Sequence, residues 1–254
     1  AGNVQVSGLN TAGLGRTVLI NGCFSQWQRG SGPTAPNATG TSYLADRWTV
    51  RGTGGSGGSP TVEFAWGPDK KYSMFRYNAT GLTSGSYVEQ RVEAHTARAM
   101  AGKEYTVSVY ASHKPAIALY WYNDNDVLQT ITGGTTMADE GDSRYSHTFT
   151  VPDDQLASNV NLIGLVIRFR FNDNQSPLAN GTYDIWQAQV EPGPVCTPFS
   201  AIPYWTNFSF CQRYYQRLGV RGKCLNMNAT SFATLSTGYV PNSMRANPEL
   251  VSQN

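Results

Sequence analysis

The stretch AIALYWYNDNDVLQTIT, residues 116–132, decides the fold class. From Ala116 to Tyr122 apolar and aromatic side chains alternate, so Tyr120 and Tyr122 share one face and Trp121 points to the other, the period of a strand. Asn123-Asp124-Asn125-Asp126 follows, four side chains that tolerate left-handed backbone and bond their own main chain. Val127–Thr132 then resumes the strand composition, and the whole reads as an antiparallel hairpin.

Working outward, the same grammar recurs at Arg47–Arg51, Thr61–Trp66, Tyr87–Val92, Tyr105–Ala111, Ser146–Val151, Asn161–Phe171 and Tyr183–Val190. In Thr61–Trp66, Val62, Phe64 and Trp66 share a face while Glu63 points away. About ten short strands separated by turn clusters predict an all-β sandwich or barrel.

The two ends differ from this pattern. Residues 1–16 are small, polar and Gly-rich, and read as an extended arm suited to docking on a neighbouring subunit. The sandwich is expected over 17–191. Prolines at 192, 194, 198 and 203 exclude a helix or central strand there, so 192–207 reads as a linker between two parts. Beyond it, Phe208, Cys211, Tyr214, Tyr215 and Leu218 recur at helical spacing behind a cap at Asn207, predicting a short amphipathic helix that ends at Gly219. The segment 208–254 is thus a small C-terminal piece; it stops at Leu250-Val251 without a terminating signal, as in a chain that continues or has been cut.

Composition narrows function by elimination. Charged residues are 14% of the chain, against about 25% in an average globular protein. The net charge is +2, with Lys and Arg scattered along the sequence, so no footprint for nucleic acid is expected. No apolar run reaches the ~20 residues of a membrane span, and Ala1–Leu14 lacks the regions of a signal peptide. Cys23, Cys196, Cys211 and Cys224 stand far apart and read as isolated buried thiols. Sequons at Asn37, Asn78, Asn180, Asn207 and Asn228 are what so much Asn, Ser and Thr yields by chance.

No catalytic or cofactor signature emerges. Gly52-Thr53-Gly54-Gly55-Ser56-Gly57 satisfies a dinucleotide-binding spacing, but Ser59-Pro60 leads into another strand where that chemistry needs a helix N-terminus; a hairpin loop is the expectation. His95, His113 and His147 lie singly. Glycan hydrolysis needs two carboxylates across a groove, for which Asp139, Glu140, Asp142, Asp153, Asp154, Asp173 and Asp184 are the available acids, most in turn-like runs. No enzyme, metal or cofactor is expected.

Aromatic residues make up 12% of the chain, and Trp48, Trp66, Tyr120, Trp121, Tyr122 and Trp186 fall on strands. A ring with a polar handle either fills the core or packs on the apolar face of a pyranose, with neighbouring amides and acids bonding its hydroxyls. Tyr120, Tyr122 and Trp66 are the candidate ligand-binding residues.

The run Ile20-Asn21-Gly22-Cys23-Phe24-Ser25-Gln26-Trp27-Gln28-Arg29-Gly30 resembles the opening of a jelly-roll domain found repeatedly in phage tail-fibre and other virion proteins, akin to the carbohydrate-binding modules attached to glycan-active enzymes. The resemblance continues in order through Ala45-Asp46-Arg47-Trp48, Glu89–Glu93 and Ala101–Ala111. It closes on Gln187–Gly193, Thr197-Pro198-Phe199, Cys211–Tyr215 and Ser243–Pro248. Cys23 stands where related sugar-binding modules often carry an acid that helps hold calcium, which counts against a metal near Asn21 and Asp184.

That resemblance implies a jelly-roll sandwich and a non-enzymatic virion structural protein, a tail fibre or similar appendage, that attaches to host-surface polysaccharide. It implies a homotrimer bound to other virion proteins on the particle exterior. Two alternatives stay open: a capsid or tail decoration or adaptor protein that binds no glycan, and a fragment of a polysaccharide depolymerase.

Overall fold

The computed structural model describes residues 17–36, 42–52, 60–80, 86–123, 128–153, 162–171 and 178–216. The expected arm, the Gly-rich loop beyond Gly52, Cys224 and everything after 216 lie outside the described residues.

Twelve strands lie among them: β1 (Ser42–Tyr43), β2 (Trp48–Arg51), β3 (Thr61–Trp66), β4 (Ser73–Ala79), β5 (Tyr87–Glu93), β6 (Glu104–Ala111), β7 (Ala116–Asn123), β8 (Leu128–Thr136), β9 (Ala138–Gly141), β10 (Arg144–Thr150), β11 (Leu162–Arg170) and β12 (Gly181–Pro192). They form two antiparallel sheets of six: sheet 1 in the order β1-β2-β5-β11-β7-β8, sheet 2 in the order β3-β4-β12-β6-β10-β9. The chain forms hairpins at β1–β2, β3–β4, β7–β8 and β9–β10 and otherwise changes sheet at every step. This is the expected β-sandwich, and the expected 116–132 hairpin is β7–β8, with Tyr122 opposite Leu128.

The core fills from both sheets because each strand alternates. Trp48, Val50, Val88, Ile117, Leu119, Leu165, Ile167 and Phe169 point inward from sheet 1, and Val62, Phe75, Tyr77, Val107, Val109, Ile185 and Val190 from sheet 2. Phe24 bridges them, its ring 4.8 Å from Trp48 and 5.7 Å from Phe75. Burying side chains of this size contributes about 1.5–3 kcal/mol each. After β5, helix α1 (Ala94–Met100) turns Ala97 and Met100 into the same core. No helix among the described residues is long and apolar enough to cross a membrane.

The opening segment locks both sheets. Val18 donates its N–H to the Val190 carbonyl, while Ile20 exchanges two bonds with the Gln90 amide on β5. Ala188 donates to the Gly22 carbonyl; a Cβ on Gly22 would stand 2.1 Å from the Ala188 oxygen, so only glycine allows that approach. Asn21 is the hub. Its amide donates to the carbonyls of Gln26 and Asp46 and accepts from the N–H groups of Ser25 and Gln26.

Two sequence expectations change here. The Pro-rich segment is no free spacer: Thr106 donates its hydroxyl to the Gly193 carbonyl, Arg144 donates to the Thr197 carbonyl, and Thr197 donates its N–H to Glu191, so the strap lies across the outer face of sheet 2. The helix behind it, α2 (Tyr204–Gln212), starts four residues earlier than expected and ends well before Gly219. Asn207 is not its cap. Its N–H bonds the Pro203 carbonyl within the helix, and its side chain is drawn to Asn21, whose N–H it accepts at 2.8 Å.

Candidate functional site

Register places one group of polar and aromatic side chains on the outer face of sheet 1. On β5 the inward Val88, Gln90 and Val92 leave Tyr87, Glu89, Arg91 and Glu93 pointing out; on β11 the inward Leu165, Ile167 and Phe169 leave Val166, Arg168 and Arg170. Pairing aligns them in rows: Arg51, Tyr87, Arg170 and Ala116; then Thr49, Glu89, Arg168 and Ala118; then Arg91, Val166 and Tyr120. Ala116 and Ala118 are small, which leaves the space above them to their long neighbours.

Arg168 is the centre. Its guanidinium lies 3.7 Å from the Tyr87 ring centre and 4.8 Å from that of Tyr120, held between the two rings. Nε and Nη2 both reach Oε2 of Glu89 at 2.7 Å. Both groups are withdrawn from water, with side chains 12% and 2% exposed. Arg91 repeats the motif over Tyr122, 4.8 Å from its ring centre. Arg170 donates to the Tyr120 hydroxyl at 3.3 Å. The result is an array of planar donors, acceptors and rings whose orientations are fixed by one another.

The expected site residues thus part company. Tyr120 and Tyr122 do share the outer face of sheet 1, with Trp121 packed toward the core. Tyr122 is buried under Arg91, however, and only Tyr120 is half-exposed. Trp66 lies on β3, at the edge of sheet 2, half-exposed and edge-on to Phe64 with ring centres 5.1 Å apart. It forms no common site with the tyrosines. Of the other strand aromatics, Trp48 is core and Trp186 stacks between Tyr72 and Tyr110.

Tyr87, Glu89, Arg91, Arg168 and Arg170 are absent from the sequence-based candidates. Their period-two positions were visible, but β5 and β11 are far apart in the chain, and only the strand order makes them neighbours.

At the β5 end of this face the tail after α2 closes in. Arg47 stacks 3.6 Å from the Tyr214 ring centre, and Tyr214 donates its hydroxyl to Glu93. Burial pushes the Tyr214 phenol up to about 12 and lowers the Arg47 guanidinium, with the facing Tyr214 opposing the latter shift. Arg29 stacks on Tyr215 and pairs with Asp46, whose carboxyl burial holds above its usual range.

Other places compare as follows. An open hollow of about 720 Å³ lies between β9, β10 and Pro194–Cys196, but no Trp, Tyr or Phe lines it among the described residues. Asp139, Glu140 and Asp142 sit exposed at the β9–β10 hairpin, and Asp184 is held by Arg76 through two bonds of 2.8 and 2.9 Å. Asp154 and Asp173 lie outside the described residues. Asn21 bonds the Gln26 and Asp46 carbonyls, and Asp184 bonds Arg76. Of the described thiols Cys211 is buried, as expected, whereas Cys23 and Cys196 are only half-buried. On α2, Tyr204 and Trp205 are 54% and 73% exposed.

No protein-family model matches this chain, and no curated protein matches it. Solved structures align with it at low identity. The CBM22-1 xylan-binding domain of Paenibacillus barcinonensis Xyn10C aligns at 10% identity and a TM-score of 0.40, covering 73% of this chain and 99% of that one. The C-terminal family 22 carbohydrate-binding module of Clostridium thermocellum Xyn10B aligns at 14% identity and a TM-score of 0.40, covering 64% and 100%. The enzymatically active domain of bacteriophage CBA120 tailspike protein 4 aligns at 13% identity and a TM-score of 0.39, covering 70% of this chain and 22% of that one.

Proposed function

We propose that this chain is a non-enzymatic structural module of a phage particle, a tail fibre or similar appendage, whose sandwich attaches to surface polysaccharide through the outer face of sheet 1. One observation carries the attachment: Arg168, paired with Glu89, is locked between the rings of Tyr87 and Tyr120. Sugar hydroxyls are recognised by pre-oriented planar donors and acceptors beside an aromatic surface, and a locked array loses little entropy on binding. The phage setting rests on the ordered series of motifs from Ile20 to Pro248. Display as a trimer on the virion exterior, alongside other virion proteins, would multiply weak single sites.

The test is retention of the labelled intact chain by host cells and by extracted envelope polysaccharide, with reducing ends followed in the same tube. Saturable binding without sugar release is expected. Tyr120→Ala should weaken it about tenfold, equivalent to ~1.4 kcal/mol, while Trp66→Ala on the other sheet leaves it unchanged. Release of reducing ends, or no retention even of a trimerised chain, overturns the proposal.

A second reading has its own observation. The exposed Tyr204 and Trp205 on α2 suit an adaptor that seats on another virion subunit and binds no glycan. Loss of particle incorporation in Trp205→Ser, with sheet 1 variants fully incorporated and no polysaccharide retained, would favour it.

A further inference from the structure

We infer that the polymer taken by the outer face of sheet 1 is anionic, an acidic polysaccharide carrying carboxylates; this rests on the attachment proposed above and narrows it to a ligand class. The chain as a whole is nearly balanced, with 19 Lys and Arg against 17 Asp and Glu. The face is not. Arg51, Arg91, Arg168 and Arg170 project from three neighbouring strands, and Glu89 is the one acid in their rows among the described residues. Glu89 is spent on Arg168, and its other oxygen stands 3.9 Å from Arg91. Glu93, one row further, is already engaged by the Tyr214 hydroxyl, by Arg213 at 3.5 Å and by His95 at 3.5 Å.

Two guanidiniums therefore keep unspent charge and unspent hydrogens. Arg51 Nε and Arg170 Nη1 are buried and have no hydrogen-bond partner among the described residues. They flank Tyr87 in one row, two strands apart, or about 10 Å at Cα. The Arg170 head group reaches across β7 to Gly134 on β8, away from Arg51, so the two forks suit separate acidic groups spaced along a polymer. A carboxylate offers two oxygens in the plane that a guanidinium fork demands, whereas a hydroxyl satisfies one hydrogen and leaves the charge uncompensated.

The seat of Arg170 is shaped independently by β8. Gly134 takes a left-handed φ of +64°, and a Cβ there would stand 2.8 Å from Arg170 Nη1 and 3.2 Å from its Cζ. A side chain at 134 would press on the head group that the Tyr120 hydroxyl holds from the other side. The position is fitted to the guanidinium, not merely reached by it.

The experiment is affinity electrophoresis of the full chain in polygalacturonate, alginate and hyaluronate, each beside its carboxyl-reduced neutral counterpart. The acidic form of at least one pair should retard the chain about tenfold more strongly, and the difference should shrink between about 0.01 M and 0.15 M salt. Arg170→Met should bring the ratio of acidic to neutral retardation most of the way to one, and Arg170→Lys, which keeps the charge without the fork, should restore only part of that ratio. Melting curves confirm that both variants fold. Equal retardation by both members of every pair overturns the anionic inference and leaves glycan attachment standing; retardation by none overturns both.

Discussion

Replacing Arg168 by Met should destabilise the protein by about 3–5 kcal/mol, the cost of leaving one charge of a buried pair without its partner. The structure supplies the reason. Glu89 is 2% exposed, its contact to Arg168 is 2.7 Å, and the next cation, Arg91, is 3.9 Å away and bonded elsewhere as well. At the effective dielectric of such a site the lost attraction is ~4 kcal/mol for charges about 4 Å apart. Two ring contacts worth about 0.5–2 kcal/mol each disappear with it, and the apolar Met replaces them in part. Urea denaturation followed by tryptophan fluorescence should show the loss, as should a melting temperature lowered by roughly 6–20 °C at ~2–4 °C per kcal/mol. Glu89→Gln should cost less, because a neutral amide still accepts from Arg168. The double variant should recover about 2–3 kcal/mol relative to the sum of the single changes, since no charge is then stranded. A loss under about 1 kcal/mol for Arg168→Met, or strict additivity in the double variant, would refute the claim that Arg168 and Glu89 act as one desolvated unit.

Asn21→Ala removes five hydrogen bonds at the hub of the opening segment, at a residue with φ of +57°, and should cost about 3 kcal/mol or more in the same denaturation assay. Burial raises the Cys211 thiol and also the half-buried Cys196, so a thiol reagent at mildly alkaline pH should label Cys23 first, Cys196 more slowly and the fully buried Cys211 only on unfolding; mass spectrometry of timed samples reads the order. Burial lowers His147 below the ordinary imidazole value, so its stabilising contribution is complete above about pH 6.5 and declines as acidification charges it in the fold. His147→Gln should flatten the stability curve between about pH 7 and 5.

What was legible in the sequence tracks how cleanly burial alternates. β3 and the β7–β8 hairpin were placed to within a residue at most of their ends, because one face is apolar and the turn between β7 and β8 is written in Asn and Asp. β4 was missed although Phe75, Tyr77 and Ala79 point inward, because Ser73 and Met74 are buried too and blur its start. β9 is exposed at every position and exists through its backbone pairing with β10, so its acids read as a turn. α1 has no capping side chain and seven residues; the core seats of Ala97 and Met100 hold it, and those are tertiary facts. At the site, Tyr120 and Tyr122 were legible as a shared face because they are neighbours on one strand. The arginines were not, because the partners of Arg168 come from β5 and β7, and no local pattern says that β11 runs between them. Asn207 failed as a cap for the same kind of reason: its preference for a helix start lost to a bond with a residue 186 positions away.

A sandwich has two outer faces, and this chain treats them oppositely. On sheet 2 the polar groups of β6, β10 and β12 turn to the chain's own strap: Glu191 accepts from the N–H and hydroxyl of Thr197, Gln189 accepts from Ser200, and Arg144 and Thr106 reach strap carbonyls. Apart from Arg144 Nε, these groups are met by the strap that follows β12 directly or by one another, which also explains why Gln189 and Glu191 tolerate almost complete burial. On sheet 1 the polar groups turn to one another, and the balance does not close: four guanidiniums meet one carboxylate in their rows, and two of the guanidinium nitrogens are left over among the described residues. An unpaired buried donor is costly, and the inferred acidic ligand would offset that cost on sheet 1. The Pro-rich segment meets the polar groups at the centre of sheet 2, whereas the larger guanidinium surplus on sheet 1 is what the proposed anionic ligand would complete.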